Sequence, residues 1–185
     1  MVEHTEAWQV FHANGESRAG ESILPSEARL SNKAIVGAVH IWIWRRGSSG
    51  IEVLLQRRAK NKPTWPDYLD ISVAGHIDSG ESQLQAAVRE AEEEVGLRLN
   101  PSLLNFIFSY RNFENGIKWV YILEETEPVQ YQFNDGEVQS LDWVTIESFE
   151  NMTLDPEHHG LVSHPKEYFS LLTKALVVVH ENNRS

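Results

Sequence analysis

The sequence predicts one domain of the α/β (α+β) class, in which helices pack on a β-sheet. Several segments are rich in the β-branched and aromatic residues typical of strands, and two others repeat apolar residues every three or four positions, as helices do. The 185 residues, 41% of them hydrophobic, suffice for one core rather than two. No low-complexity tract or long linker divides the chain, so these segments are expected to share that core.

Six stretches have the composition of strands, and turn-forming residues separate them. A turn at residues 45–50, rich in Ser and Gly, connects the first two stretches, which we expect to pair in antiparallel fashion. Pro63 and Pro66 exclude regular structure from residues 61–68. The six predicted strands are residues 33–44, 51–56, 69–74, 105–109, 118–123 and 138–144.

Residues 1–30 are interpreted as an N-terminal extension of a domain that spans residues 31–185. Residues 8–11 suit a strand, and the following Asn14-Gly15 dipeptide is typical of hairpin turns, so a short hairpin is expected there. The first ten residues carry acids and lack the apolar stretch of a secretory signal, and no segment approaches the length of a bilayer span. A cytoplasmic protein is therefore the expectation.

Charge and cysteine content exclude several kinds of function. Asp and Glu total 27 against 16 Lys and Arg, and the net charge of −11 disfavours binding to nucleic-acid polymers or to anionic membranes. The chain has no cysteine, which excludes disulfides, thiolate metal sites and cysteine nucleophiles. An anionic ligand therefore requires a local cluster of cations or a bound metal ion.

Two helices are predicted, and the first carries most of the functional information. Ser82 and Gln85 form a capping-box pattern, and Gly96 suits a left-handed C-terminal cap, so this helix is expected at residues 82–95. The second helix follows Pro165, a residue favoured in the first turn, and has a wide apolar face over residues 168–179.

The helix at residues 82–95 separates apolar side chains from an acidic cluster. One narrow arc is expected to face the core and holds Leu84, Val88, Ala91 and Val95. Glu90, Glu93 and Glu94 lie together on another arc, where neighbouring carboxylates repel one another. Glu92 points away from this cluster and is interpreted as a solvated charge. The acidic cluster therefore needs a compensating positive charge.

A divalent cation would supply that compensation. Carboxylate oxygens are the ligands that Mg²⁺ and Mn²⁺ prefer, and Gly75, in the loop before the helix, permits close approach of the backbone to a ligand. Arg89 lies four residues before Glu93 and is expected to orient it, with Glu81 of the loop as a second partner. A metal ion held there has the chemistry to neutralise a diphosphate and to activate water against its phosphorus.

The same residues match a known signature at every position. They stand in the order and spacing of the Nudix box, G-x5-E-x7-R-E-U-x-E-E-x-G-U, as Gly75, Glu81, Arg89, Glu90, Ala91, Glu93, Glu94, Gly96 and Leu97. Ala91 is the weakest match, since a larger aliphatic residue is more usual there. The chain thus resembles the Nudix hydrolase superfamily. The resemblance implies an α/β/α sandwich around a mixed β-sheet and hydrolysis of a diphosphate linked to another moiety.

The resemblance also implies a set of metal ligands. Glu93 and Glu94 occupy the positions of the principal ligands for Mg²⁺ or Mn²⁺. Glu90 stands where the family has a further ligand or the base that activates water. The carbonyl of Gly75 is an additional candidate ligand. A later acidic residue often completes such sites, and Glu137 is the candidate in this chain.

Two further positions of the box are expected to support catalysis. Arg89 and Glu81 resemble the ion pair that positions the catalytic helix. With Glu90 and Glu93 they complete the predicted catalytic set, and the family pattern leaves open which carboxylate is the general base.

Residues 30–150 resemble a branch of the family related to isopentenyl-diphosphate isomerase, and a basic cluster lies at residues 56–62. Arginine geometry favours bidentate contacts to phosphate, so the candidates for binding the substrate are Arg57, Arg58 and Lys60. Each of these residues also suits a solvated turn after a strand. His76 recurs in that branch and is interpreted as a structural residue rather than a catalytic one.

Two alternatives to hydrolysis stay open at this point. Isomerases of that branch use a catalytic Cys and Glu, so Tyr110 or Glu114 would have to replace them in this cysteine-free chain. A noncatalytic module that binds a nucleotide or a partner protein is the second alternative. Such modules commonly lose carboxylates of the box, and this chain retains all of them. The complete box therefore favours hydrolysis.

The motif does not identify the substrate. Aromatic residues that could stack on a base or cover an isoprenoid also suit core positions, and they are Trp42, Trp44, Trp65, Tyr110, Phe113 and Trp119. Nucleoside diphosphate derivatives, dinucleoside polyphosphates, nucleotide sugars and short isoprenoid diphosphates all stay open. A homodimer is compatible with this fold, with the N-terminal extension and the C-terminal helix as the candidate interfaces.

Overall fold

The structure is a computed structural model that describes residues 7–28, 34–112, 116–133 and 136–182. Within these ranges the strands are β1 (Trp8–Phe11), β2 (Ser17–Ile23), β3 (Ile35–Gly47), β4 (Gly50–Arg58), β5 (Leu69–Asp70), β6 (Val73–His76), β7 (Asn105–Asn112), β8 (Gly116–Glu124) and β9 (Val138–Thr145). The helices are α1 (Pro25–Ala28), α2 (Gln83–Val95), α3 (Ile146–Leu154) and α4 (Lys166–Asn182), with a 3-10 turn at Pro101–Leu103. None of the helices in these ranges is long and apolar enough to cross a bilayer.

Strand β3 is the centre of the sheet because its 13 residues pair with four other described strands. It runs parallel to β8 and antiparallel to β1, β4 and β6. Strands β5 and β9 extend the sheet beside β4, and β7 extends it beside β8. The sheet is therefore mixed, as predicted.

Helices cover both faces of this sheet. Successive side chains of a strand point to opposite faces, so Ile41 of β3 lies in the cluster that includes α2, whereas Trp42 lies in the cluster that includes α3 and α4. Phe149 of α3 and Leu172 of α4 are fully buried in the second cluster. Because both faces of β3 are covered, its sequence is an almost continuous apolar run rather than an alternating one. The predicted α/β/α sandwich is confirmed.

The segment at residues 69–74, predicted as one strand, forms two short strands, β5 and β6, and the chain changes its pairing partner between them. Strand β5 pairs with β4, whereas β6 pairs with β3. Between the two strands, the buried Ser72 hydroxyl donates to the carbonyl of Leu54 at 2.6 Å and accepts the N–H of Ile43 at 2.8 Å. These side-chain hydrogen bonds satisfy backbone groups of β3 and β4 where the chain changes partners.

Helix α2 begins and ends where the sequence predicted. The Ser82 side chain accepts the N–H of Gln85, and the Gln85 side chain accepts the N–H of Ser82, which completes the capping box. Gly96 ends the helix in the left-handed conformation, with φ of 67°.

The predicted apolar face of α2 was partly wrong. Leu84 is 42% exposed and Val88 is only half-buried. The buried apolar residues of the helix are Ala86, Ala87, Ala91 and Val95. The helix is rotated so that Glu94 also faces inward, and small alanine side chains let the helix axis lie close to the sheet.

The N-terminal hairpin belongs to the same sheet. Strand β1 pairs antiparallel with both β2 and β3, and Phe11 is buried in the cluster beneath α2. Its backbone also holds the loop before α2, because the N–H of Gln9 donates to the carbonyl of Ile77 at 2.8 Å. Three residues of the sequence-based predictions, Lys33, Phe113 and Glu114, lie outside the described residues.

Candidate active site

Five residues of the box line one cleft of about 600 Å³, and they are Gly75, Arg89, Glu90, Glu93 and Glu94. Helix α2, strand β6 and the segment after β4 line this cleft, together with the start of β1. Its acidic lining residues are Asp78, Glu90, Glu93, Glu94 and Glu137. Its basic lining residues are Arg58, Lys62 and Arg89. Acidic and basic groups that lie far apart in sequence thus share one site.

Glu90 lies against the backbone of β6, at a place where only glycine leaves room for it. A Cβ atom added to Gly75 would lie 1.9 Å from the carboxyl carbon of Glu90 and 2.0 Å from its Oε1. Non-bonded atoms do not approach this closely, so any larger residue at position 75 would displace the Glu90 carboxyl group. The first glycine of the box therefore has a steric role in this structure.

Glu94 and Glu93 have different surroundings, although they are neighbours on the helix. Glu94 is 5% exposed, and its Oε2 accepts the N–H of Ala74 at 3.1 Å, which ties α2 to β6. The side chain of Glu93 is 52% exposed and lies at the edge of the cleft. A helix turns about 100° per residue, which separates the two side chains. The three glutamates thus contribute one buried, one mostly buried and one exposed carboxylate.

Arg89 holds the acidic residues in place. Its Nε and one terminal nitrogen contact the two carboxylate oxygens of Glu81 at 2.9 and 3.0 Å. Its other terminal nitrogen lies 2.9 Å from Glu90 and 3.0 Å from Glu93, and the guanidinium also donates to the carbonyl of His76 at 2.8 Å. Burial lowers the pKa of Arg89, but the hydrogen bonds to Glu81 and the charge of Glu90 outweigh burial and raise the pKa overall. Arg89 is thus the compensating charge of the acidic cluster.

Glu90 is a titratable group of this site whose pKa is shifted toward neutrality. Burial raises the pKa of its carboxyl to about 7, against the opposing effect of the Arg89 guanidinium. A carboxyl group with a pKa near 7 exchanges protons readily at physiological pH. Such a group is suited to accept a proton from water.

The donor set of the cleft fits a hard divalent cation. It consists of carboxylate oxygens and the backbone of Gly75, with no sulfur ligand, as Mg²⁺ and Mn²⁺ prefer. Within the described ranges, no three Asp, Glu or His side chains converge closely enough to enclose a metal ion. Glu90 and Glu93 point their oxygens at Arg89 instead.

Only part of the predicted phosphate-binding cluster reaches the cleft. Arg58 lines it and is fixed by Asp70 at 2.9 Å, whereas Arg57 and Lys60 are not lining residues. Neighbouring side chains of a strand point to opposite faces, so Arg57 is turned away from Arg58, and its guanidinium lies 3.9 Å from Asp142. Lys60 is exposed in the turn that follows the strand.

Two further residues near this cluster, Glu137 and Lys62, line the cleft. Glu137, predicted as a late acidic residue of the site, lines the cleft and forms an ion pair with Lys62. Lys62 belongs to the basic cluster of the sequence but was not among the residues predicted to bind the substrate. Two residues after Lys60, it is brought inward by the turn at Ala59, whose carbonyl accepts the Lys62 N–H.

Most of the aromatic candidates lie outside the cleft. Trp42 and Trp44 are fully buried, and Tyr110 packs against the ring of Tyr168 on the α4 side of the sheet. The aromatic residue that does line the cleft beside His76 is Trp8, which sequence reasoning missed. No local motif marks Trp8, because its role depends on pairing of the N-terminal hairpin with the distant β6 region.

Comparison with known proteins places the chain in a family. A protein of Listeria innocua described as an uncharacterized Nudix hydrolase is 32% identical over 151 residues, which cover 78% of this chain and 83% of that protein. The isopentenyl-diphosphate Delta-isomerase of Escherichia coli is 32% identical over 110 residues, 56% of this chain and 59% of the isomerase. The crystal structure of DR0079 from Deinococcus radiodurans superimposes with a TM-score of 0.65 at 22% identity, over 92% of this chain and 97% of that one.

The likeness to the isomerase is therefore partial, and the likeness to DR0079 concerns the fold. Residues 35–164, which contain every position of the box, match the NUDIX domain. Together with the extended similarity to the Listeria protein, this match shows that the chain belongs to the Nudix hydrolase family.

Proposed function

We propose that this chain is a pyrophosphohydrolase that uses Mg²⁺ or Mn²⁺ to cleave a diphosphate linked to another moiety, by attack of water on phosphorus. The observation that carries the proposal is the lining of one cleft by the box carboxylates and by two cations of the β4 segment, Arg58 and Lys62. This reaction needs groups that bind a metal ion and groups that bind phosphate, and residues suited to each task line this one cavity.

Glu93 and Glu94 are the side chains that would hold the cation, with Glu137 and the carbonyl of Gly75 as further ligands. Bound there, a divalent cation supplies neutralisation of the diphosphate and polarisation of the phosphorus. Glu93 would have to turn from Arg89 to bind it, whereas Glu90 keeps its hydrogen bond to Arg89. Arg89 keeps its place when Glu93 turns, because Glu81 and the carbonyl of His76 hold it independently.

Arg58 and Lys62 bind oxygens of the diphosphate in this proposal. Arg58 is held by Asp70 and by the carbonyl of Thr64, so its guanidinium is oriented before the substrate arrives. Lys62 is paired with Glu137, and substrate oxygens would compete for that ammonium group. A site with two cations suits a substrate with several negative charges.

Glu90 is the candidate proton acceptor. Its carboxylate takes the proton of the attacking water as the new bond from oxygen to phosphorus forms, and the bond from phosphorus to the bridging oxygen breaks. The raised pKa matches this task, because an acceptor works best when its pKa is near the operating pH. Arg89 positions Glu90 through a hydrogen bond and does not itself contact the reacting atoms in this proposal.

The similarity to the isomerase branch does not imply that this chain catalyses isomerisation. The chain has no cysteine, and Tyr110, the described candidate for a replacement acid, contacts Tyr168 on the α4 side of the sheet rather than lining the cleft. We therefore infer that the isomerase-like sequence reflects shared ancestry and a shared diphosphate-binding cluster.

The decisive experiment incubates the protein with Mg²⁺ or Mn²⁺ and a panel of nucleoside diphosphate derivatives, dinucleoside polyphosphates, nucleotide sugars and isopentenyl diphosphate. Products are separated by chromatography, which reveals isomerisation as well as hydrolysis. Glu93→Gln and Glu94→Gln variants are measured in parallel. Loss of a carboxylate ligand is expected to lower turnover by roughly 100-fold or more.

Glu92→Gln is the matched control on the same helix. Its carboxylate pairs with Arg98 at the surface and does not line the cleft, so turnover should stay near that of the wild type. Metal-dependent cleavage that survives in both the Glu93 and Glu94 variants would contradict the proposed site. Isomerisation of isopentenyl diphosphate, or nucleotide binding without cleavage, would favour one of the two alternative functions.

A further inference from the structure

The N-terminal hairpin supplies an aromatic wall of the cleft from outside the NUDIX match, which begins at residue 35. Trp8 of β1 lines the same cleft as the box carboxylates. Its ring stacks on the imidazole of His76, with centroids 3.6 Å apart and planes inclined by 5°. Trp8 is half-buried and lines the cleft, which is where a ligand would meet it.

Hydrogen bonds hold this wall against the loop that precedes α2. The backbones of Trp8 and Asp78 form an antiparallel β-bridge, and the N–H of Ser79 donates to the carbonyl of Ala7 at 2.7 Å. The buried Gln9 joins the hairpin to the loop before α2. Its Oε1 accepts the N–H of Gly80 in that loop at 3.0 Å, and its Nε2 donates to the carbonyl of Glu21 in β2 at 3.0 Å. The position of Trp8 relative to the catalytic helix is therefore set before a ligand binds, which lowers the ordering cost of binding.

The chemistry of the cleft favours a planar polar group over an isoprenoid. Apart from the two stacked rings, its lining among the described residues consists of charged side chains, Thr64 and small or cyclic residues, with no Leu, Ile, Val, Met or Phe. An isoprenoid tail would find no apolar surface of its own size there. A nucleobase would find an aromatic face, and stacking of this kind tolerates any base.

We propose that Trp8 is the residue on which the base of a nucleoside diphosphate derivative stacks while its diphosphate lies at the carboxylates of α2. His76 fixes the orientation of the indole ring. This inference rests on the proposed function for the placement of the diphosphate. It narrows the substrate to compounds that carry a nucleoside.

Binding measured by calorimetry tests this inference without requiring turnover. The probes are ADP and CDP, which carry a purine and a pyrimidine, and inorganic pyrophosphate, which has no base. The wild type is expected to bind both nucleotides more tightly than pyrophosphate. Trp8→Leu is expected to weaken nucleotide binding by roughly 10-fold, the scale of one stacked base, and to leave pyrophosphate binding within about twofold. Trp8→Phe keeps an aromatic ring and should retain most of the affinity.

Trp143→Leu is the matched control. Trp143 of β9 is also half-buried, packs under the guanidinium of Arg45 and does not line the cleft, so its replacement should leave all three affinities unchanged. Thermal unfolding of each variant shows whether the fold persists. Equal losses for nucleotides and pyrophosphate in Trp8→Leu would assign Trp8 a purely structural role. Unchanged nucleotide binding, or a wild type that does not prefer nucleotides, would also overturn the inference.

The two proposals fail in different ways. Nucleotide binding that depends on Trp8, in a protein that cleaves no diphosphate, would support the stacking site and overturn the hydrolase. Metal-dependent cleavage of nucleoside diphosphate derivatives with an unchanged KM in Trp8→Leu would support the hydrolase and overturn the stacking site.

Discussion

The carboxyl group of Glu90 fills the space that a side chain at Gly75 would occupy. The distance from a Cβ at position 75 to the carboxyl carbon would be 1.9 Å. The two residues lie 15 positions apart in the sequence, and the packing of α2 on β6 brings them together. The first glycine and the central glutamate of the box therefore form one steric unit, and this unit gives a direct test of the site.

Gly75→Ala is expected to lower turnover strongly and to reduce the free energy of unfolding by about 1–3 kcal/mol, the usual cost of overpacking. Activity assays and urea denaturation check this. Gly47→Ala is a matched control, because its Cβ would meet the side chain of Glu52 at 2.4 Å, far from the cleft. The clash falls on the end of the Glu52 side chain, which can move, so Gly47→Ala should leave turnover unchanged. If Gly75→Ala retained full activity, the steric role of this glycine would be refuted.

Arg89→Lys is expected to reduce turnover by roughly 10-fold or more, although the positive charge is kept. Lysine lacks the planar fork that reaches both oxygens of Glu81 together with Glu90, so Glu90 would lose its fixed position. Steady-state kinetics should show the loss mainly in kcat. Arg98→Lys is the control, since the Arg98 side chain is 87% exposed and pairs with Glu92 at the surface. Equal kinetics of the two variants would contradict a positioning role for Arg89.

The raised pKa of Glu90 predicts a pH dependence of stability in protein treated with a chelator. Burial raises this pKa to about 7, above its value in the unfolded chain, so the folded state binds the proton more tightly. The resulting stabilisation is fully present below the unfolded pKa and is lost as the pH rises to about 7. Glu90→Gln should remove this part of the pH dependence in urea titrations, whereas the surface variant Glu92→Gln should retain it. Identical pH profiles of wild type and Glu90→Gln would disprove the shift.

Tyr168→Phe is expected to lower the free energy of unfolding by about 1–3 kcal/mol. Turnover should not be impaired, because Tyr168 lies in the cluster on the α4 side of the sheet and does not line the cleft. The buried Tyr168 hydroxyl accepts the indole N–H of Trp42 at 2.7 Å and lies 2.9 Å from Nδ1 of His40. Its removal would leave both nitrogens without this partner. Tyr110→Phe is the control, since its hydroxyl takes no part in these bonds. A loss of activity beyond the loss of stability in Tyr168→Phe would indicate that this layer contributes to the site.

Local sequence signals determined the elements whose causes are local. The capping box at Ser82 and the left-handed cap at Gly96 place the ends of α2, because caps depend on residues within one turn. The apolar run of β3 predicted a buried strand for the same kind of reason. The spacing of the box likewise determined that Arg89, Glu90 and Glu93 come together, since they share one helix.

Tertiary structure decided which side chains of each element face the core or the cleft, because this depends on how distant segments pack. The rotation of α2 buried Glu94 and exposed Leu84, because fitting alanines against the sheet and bonding Glu94 to Ala74 outweigh apolar periodicity. Strand register turned Arg58 rather than Arg57 into the cleft. The pairing of β1 with β3 brought Trp8 to His76, a contact between residues 68 positions apart, which no local pattern encodes. The sequence by itself thus specified the family and helix α2 with its acidic cluster, whereas long-range packing selected the residues that surround that helix.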